Sequence, residues 1–284
     1  MRERARRAPA PIGGFGLVEL LAALLIASIV TVAIITVFTR SLGSSYKTMG
    51  SVESRQQARL ALQMLERDIR MAGSGWGRMK VDGMLSGAQV VYYGIQPGFG
   101  GSGNSDSLHM MGNWGASTTL RAAMGTAGAV IQCNSTTGFS VGDLCVVTNG
   151  NSAHLFQVTA VSSSPANLSH DTSSPYNANS GYLDWPASGY GIGDLVLKAD
   201  RVAYRVDPTG YRRPCLVRQE NSRAPEVVAW DVNSFTMSYL LQDGSVTRDP
   251  DTVTVIARVI PSIRNQVNAT QVDSAQVEIR PRAF

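Results

Sequence analysis

At 284 residues the chain suits one large domain or two small ones, and its 16% charged residues fall below the ~25% usual for soluble domains. The formal net charge is +4, but Met1 to Gly14 holds four arginines against one glutamate, so the remainder is nearly neutral and carries no electrostatic footprint for nucleic acid. Three cysteines without a CxxC, and His109, His154 and His170 scattered singly, make no zinc pattern, and no cofactor is expected.

The chain opens with Arg2, Arg4, Arg6 and Arg7 against Glu3, then reaches Gly13-Gly14-Phe15-Gly16-Leu17-Val18-Glu19. From Leu20 to Phe38 no residue is charged, and only Ser28, Thr31 and Thr36 are polar. A helix over Phe15 to Phe38 would be roughly 36 Å long at ~1.5 Å per residue, enough to cross a hydrocarbon core of ~30 Å. The basic flank predicts that the N-terminal end stays in the cytoplasm. A secretory signal peptide fits poorly, because its apolar region is ~7–15 residues and no A-x-A site follows Phe38. An uncleaved signal anchor explains the basic flank and the span, but not the carboxylate at the mouth of that span. Such a charge is costly and is normally kept for a reason.

Short basic leader, Gly14, Phe15, Glu19 and a membrane-length apolar run together resemble the type III signal of type IV pilins and type II secretion pseudopilins. The resemblance implies that a prepilin peptidase cuts after Gly14 and methylates the new terminus at Phe15, leaving Glu19 as fifth residue. It also implies an electrostatic register. The Phe15 amine of one subunit meets the Glu19 carboxylate of another, and pairing removes two desolvation penalties of several kcal/mol each. Many major pilins carry a proline within this helix; here the matching position is Thr36.

Beyond Phe38, Ser41 to Ser51 with Gly43 and Gly50 predicts bending or local fraying, at ~1 kcal/mol per helical glycine. Ala58, Leu62, Leu65, Ile69 and Ala72 then recur at spacings of four and three, one apolar stripe that should pack on a sheet. Glu66 and Arg70 form a favourable i,i+4 pair, and Gly73 is a natural stop.

From Ser74 to Lys198, short strands are expected at Gln89–Tyr93, Ser107–Met111, Ala129–Cys133, Leu144–Thr148 and Leu155–Val161, a β-rich insert with a mobile connector over Asn167–Gly181. Cys133 and Cys145 flank a Gly-containing turn and could bridge, for about 3 kcal/mol, leaving Cys215 odd; three buried thiols are the alternative. From Asp200 onward, Arg201–Val206 and Cys215–Gln219 flank the turn Asp207-Pro208-Thr209-Gly210, and Glu226–Trp230, Ser234–Gln242, Thr252–Ile260 and Gln271–Ile279 follow. This antiparallel sheet is expected to receive the helix stripe.

The expected class is therefore α+β and pilin-like. It divides into a leader at 1–14, a long helix at 15–73 with its span at 15–38, an insert at 74–198 and a C-terminal sheet at 199–284. The string Leu62 to Gly73, Ser105-Asp106-Ser107-Leu108, Gly142-Asp143-Leu144 and Glu226 to Val232 is similar to the PilW-type minor pilins. That resemblance implies an inner-membrane subunit that is later displayed on the pilus. Its implied partners are prepilin peptidase, other minor pilins, the major pilin and a tip adhesin. A J-type pseudopilin of type II secretion shares the helix and the C-terminal sheet, and a membrane-anchored extracytoplasmic enzyme or binding module is a more distant alternative.

Apparent catalytic strings carry little weight. Gly138-Phe139-Ser140-Val141-Gly142 satisfies G-x-S-x-G but precedes a strand rather than the required helix. Gly98 to Gly103 satisfies G-x-G-x-x-G without a following helix. Asp243, Asp249 and Asp251 lack EF-hand spacing, and Asn134, Asn167 and Asn268 match only a short glycosylation string.

Overall fold

The computed structural model describes residues 16–77, 79–98, 105–247, 256–268 and 271–276. The chain is α+β: one long, N-terminally apolar helix followed by a mainly β region with antiparallel sheets. It separates into two compact units, Met1–Gly50 and Ser51–Phe284.

Helix α1 covers Leu17–Met71. Within the first unit, the hydroxyls of its apolar stretch bond back along the helix. Ser28 Oγ donates to the Leu25 carbonyl (2.8 Å), Thr31 Oγ1 to Ala27 (2.7 Å), Thr36 Oγ1 to Val32 (2.7 Å) and Thr39 Oγ1 to Ile35 (2.9 Å). A hydroxyl bonded this way adds no orphan donor to an apolar surface. The stretch at 41–51, where fraying is predicted, is helical throughout. The glycines cost propensity, but a helix already nucleated gains one backbone bond for each residue it adds.

In the second unit the strands follow in chain order. They begin with β1 (Val81–Leu85), β2 (Ala88–Tyr92), β3 (Ile95–Gly98), β4 (Ser107–Gly112), β5 (Ser117–Thr119), β6 (Ile131–Gln132), β7 (Leu144–Thr148) and β8 (Ala153–Gln157). Then come β9 (Ala160–Ser163), β10 (Ala166–Ser169), β11 (Leu195–Asp207), β12 (Cys215–Glu220), β13 (Glu226–Trp230), β14 (Val232–Leu241), β15 (Val246–Thr247), β16 (Ile256–Asn268) and β17 (Gln271–Gln276). A ten-stranded sheet follows the order β13-β12-β11-β7-β8-β1-β2, with β4 and β5 also on β11 and β3 on β4. A three-stranded sheet is β6-β10-β9, and a four-stranded one is β15-β14-β16-β17.

The sequence-based division at 198/199 falls inside β11. Leu195–Ala199 pairs with β7 and Leu195–Leu197 with β5, while Asp200–Arg205 pairs with β4 and Val202–Asp207 with β12. The expected insert and C-terminal region thus share one sheet, because a single long strand supplies ladder partners to both. The turn after β11 forms as its residues dictate, with Asp207 Oδ1 accepting from the amides of Thr209 (3.1 Å) and Gly210 (2.6 Å).

Two other expectations change. The predicted strand Leu155–Val161 breaks between β8 and β9, where the Val158 amide turns aside to the Asp143 carbonyl (2.8 Å). The predicted mobile connector Asn167–Gly181 contains most of β10 and is tied to β8. Buried Asn177 accepts from the Gln157 amide through Oδ1 and donates to the Gln157 carbonyl through Nδ2, both at 2.8 Å. Asn-rich composition reads as loop, but its amides can also replace a missing strand partner.

The stripe Ala58, Ala61, Leu62, Leu65, Ile69 and Ala72 is buried in one core with Ile95, Leu108, Met110, Val202, Tyr204, Leu216, Phe235, Met237 and Ile263. The helix therefore packs on residues from the ten-stranded and the four-stranded sheets, and the insert region contributes alongside the C-terminal one. Gly73 closes the helix with φ 73°, and its amide donates to the Met111 carbonyl (2.8 Å), while Met111 in turn donates to Gly94 (2.9 Å). This backbone-to-backbone approach requires glycine at 94, where a Cβ would stand 2.6 Å from the Gly73 nitrogen. Since the obstacle is main chain, Gly94→Ala is expected to cost about 1–3 kcal/mol. The readout is a lowered urea midpoint, and an unchanged midpoint refutes the close-packing account.

Candidate functional site

Of the residues expected to mark processing, Gly14 and Phe15 lie outside the described residues. Glu19 sits in the first turn of α1, exposed, with its amide on the Gly16 carbonyl at 3.0 Å. A carboxylate there meets the positive end of the helix macrodipole. It is the one charged residue between Leu17 and Thr39. The helix contains an 18-residue window of mean hydropathy 2.8 with none of it buried, so by length and composition it can cross a membrane. Leu20, Leu21, Leu24, Leu25, Ile29 and Phe38 are all more than half exposed. Chemically, this segment offers an apolar cylinder with a single anion near its start. That suits burial in lipid or among other helices, with a cation as the partner for Glu19.

The second unit contains a charged cluster that sequence reading missed. Asp68 lies next to Ile69 on α1 and is 5% exposed. Its Oδ2 accepts from the Tyr204 hydroxyl (2.8 Å) and from Arg218 Nε (2.7 Å). Arg218 Nη1 reaches Glu220 Oε2 (3.1 Å), and Arg223 Nη1 reaches Glu220 Oε1 (3.1 Å). Burial, then the Asp68 charge, pushes the Tyr204 phenol well above its ordinary value, so it remains a donor. A cavity of about 380 Å³ beside this cluster is lined by Met64, Arg67, Asp68, Trp114, Asp200 and Arg218, among others. One signal was present in the sequence: Asp68 is three residues after Leu65 and four before Ala72, so it borders the buried stripe and must find a partner there.

A second polar group centres on His154, fully buried on β8. Its Nε2 donates to the Leu183 carbonyl (2.7 Å), which can only accept, so Nδ1 is the acceptor for the Tyr190 hydroxyl. Trp185 packs on the imidazole at 4.7 Å between centroids. Asp82 stands opposite His154 in the β1–β8 register, and Lys80 pairs with Asp184 and lies 3.9 Å from Asp82. Burial is the main cause holding His154, His170 and His109 below the usual imidazole range. Their neutral forms are therefore favoured by folding. This stability is fully present above the unfolded value of ~6.5 and is lost as pH falls from there towards the depressed folded values. The melting temperature is expected to drop between pH 7 and pH 5, and less so in His154→Gln; a flat profile over that window refutes the assignment.

All three cysteines are free thiols. Cys133 and Cys145 belong to one core cluster but not to one hairpin, since β6 pairs with β10 whereas β7 pairs with β8 and β11. The turn between them therefore does not bring two neighbouring strands together. Burial pushes the Cys133 thiol up to about 11 and Cys145 higher still, so neither is a ready thiolate. The G-x-S-x-G string is a turn leading into β7, with the Ser140 amide on Asp143 Oδ2 (2.8 Å). Asp243 accepts from Ser245, while Asp249 and Asp251, like Gly100 to Gly103, lie outside the described residues. Among the described residues, no group of three His, Cys, Asp or Glu is placed to hold a metal ion.

Comparison with protein-family models, curated proteins and solved structures returned no match to this chain.

Proposed function

We propose that this chain is a minor pilin: a structural subunit of a type IV pilus that helps start its assembly, at or near the tip. The observation that carries the reading is a helix unbroken from Leu17 to Met71, with Glu19 in its first turn and an antiparallel β core on its last four turns. It lies directly behind the Gly14-Phe15 junction. One such helix serves as membrane storage before assembly and as filament core afterwards. In this reading the chain is a substrate of prepilin peptidase rather than itself an enzyme. Its partners are other minor pilins, the major pilin and a tip adhesin, and its residence passes from the inner membrane to the cell surface.

N-terminal sequencing of the purified protein tests the reading. A chain starting at N-methyl-Phe15 supports it, and an intact Met1 leaves a plain membrane anchor. Deleting the gene then separates machines: loss of surface pili supports the pilus, and loss of exported enzymes with normal pili assigns the chain to type II secretion.

A further inference from the structure

The four strands β3, β4, β11 and β12 turn opposite chemistry to their two faces. On the helix side, Ile95, Leu108, Met110, Val202, Tyr204 and Leu216 are core, and Asp200 and Glu220 stand beside Arg218. The other face carries one directly opposed row across all four strands, Gln96–His109–Ala203–Gln219. Arg201 and Arg205 lie two residues to either side of Ala203, on the same face by strand alternation. The small Ala203 side chain leaves a hollow of about 240 Å³, bounded also by Tyr92, Tyr93 and Asn221. No carboxylate lines it among the described residues.

Among the described residues, Arg201, which lines this hollow, and Arg205 beside it direct their hydrogen bonds to neutral groups, and Asp207, two residues beyond Arg205, is the carboxylate near the latter. Arg201 donates to the Tyr176 hydroxyl (3.3 Å) and lies 5.6 Å from that ring's centroid. Arg205 donates to Gln219 Oε1 (3.0 Å). Burial and then the charges of Arg201 and Arg205 hold the His109 imidazole down, which places both guanidiniums close to it. Gln96 and His109 make no side-chain hydrogen bond to another described residue, and neither does Tyr93, which borders the hollow while also packing against the helix-side core.

We propose that this hollow binds an acidic saccharide, a sugar ring bearing one carboxylate, as in a polyuronate. The Arg201 guanidinium takes the carboxylate, for which its planar fork is suited. Gln96, Tyr93 and His109 take ring hydroxyls, and the ring rests over Ala203. An acidic peptide is disfavoured because β4 and β11 are hydrogen-bonded on both sides here, which leaves no main-chain ladder for strand addition. A bare phosphate is disfavoured because the site offers side chains rather than the helix N-terminus or amide nest that phosphates use. The hollow lies within the 51–284 unit, so its occupancy stands or falls separately from the pilin reading.

The test is calorimetric titration of the full chain in nonionic detergent with a galacturonate hexamer. Maltohexaose, hexaglutamate and inorganic phosphate are run as separate arms. The hexauronate is expected to bind, more weakly as salt rises, and Arg201→Gln and Ala203→Leu are each expected to weaken it about tenfold or more. Because Arg201 also packs on Tyr176, Ala203→Leu at its half-buried position carries the test should Arg201→Gln unfold. Absence of hexauronate binding at millimolar concentration, equal binding of maltohexaose, hexaglutamate or phosphate, or wild-type affinity in a folded Ala203→Leu chain each overturns the proposal.

Discussion

A Glu19→Ala chain is expected to be cut after Gly14 and inserted in the membrane, yet to be nearly absent from sheared surface filaments. The argument is one of burial. Between Leu17 and Thr39 the helix carries a single charge, so a filament core built from such helices, as the proposed function requires, would be dry. An ion taken from water into that setting costs several kcal/mol, which an opposite charge at the right height can offset. In the proposed minor-pilin reading, the amine created by cleavage before Phe15 is the cation that a neighbouring copy brings to that height. Removing the carboxylate strands the amine, at about 3–5 kcal/mol for a broken buried pair, or roughly two to four orders of magnitude in the docking constant. Glu19→Gln keeps the shape and loses the charge, so it should fail nearly as badly. Immunoblots of membrane and sheared fractions, with N-terminal sequencing of the membrane form, provide the readout. Equal amounts of mutant and wild type in filaments would remove the pairing from the account.

The second large effect is expected at Asp68. Asp68→Ala leaves Arg218, whose side chain is only 15% exposed, with Glu220 alone, and leaves the Tyr204 hydroxyl without an acceptor. Breaking a buried pair by removing one partner costs about 3–5 kcal/mol. Asp68→Asn retains an acceptor for Tyr204 and should recover part of the loss. The double variant Asp68→Ala/Arg218→Met should recover more, because no buried charge is then left unpaired. Urea unfolding followed by tryptophan fluorescence gives the values. A double variant no more stable than Asp68→Ala alone sinks this explanation. Since Asp68 joins α1 to β11 and β12, its loss should also release the helix end from the sheet, seen as faster amide exchange around Leu65 to Ala72.

The sequence alone determined the parts whose cause is local. The apolar run from Leu20 to Phe38, the stripe Ala58 to Ala72 and the stop at Gly73 are written in apolar period and in glycine. Strands Leu144–Thr148 and Glu226–Trp230 run over the residues expected of them, because short apolar runs bounded by turn residues have few other uses. Only the tertiary structure decided what those elements meet. That β11 serves β4, β5, β7 and β12 follows from pairings between residues up to about a hundred positions apart, which composition near Leu195 does not encode. The acid at position 68, the thiols at 133 and 145 and the arginines around Ala203 look alike in the sequence, as polar letters beside apolar ones. Their different fates were set by which face of which element closed over them. Burial and charge pairing belong to the folded neighbourhood, and the chain's local order does not contain them.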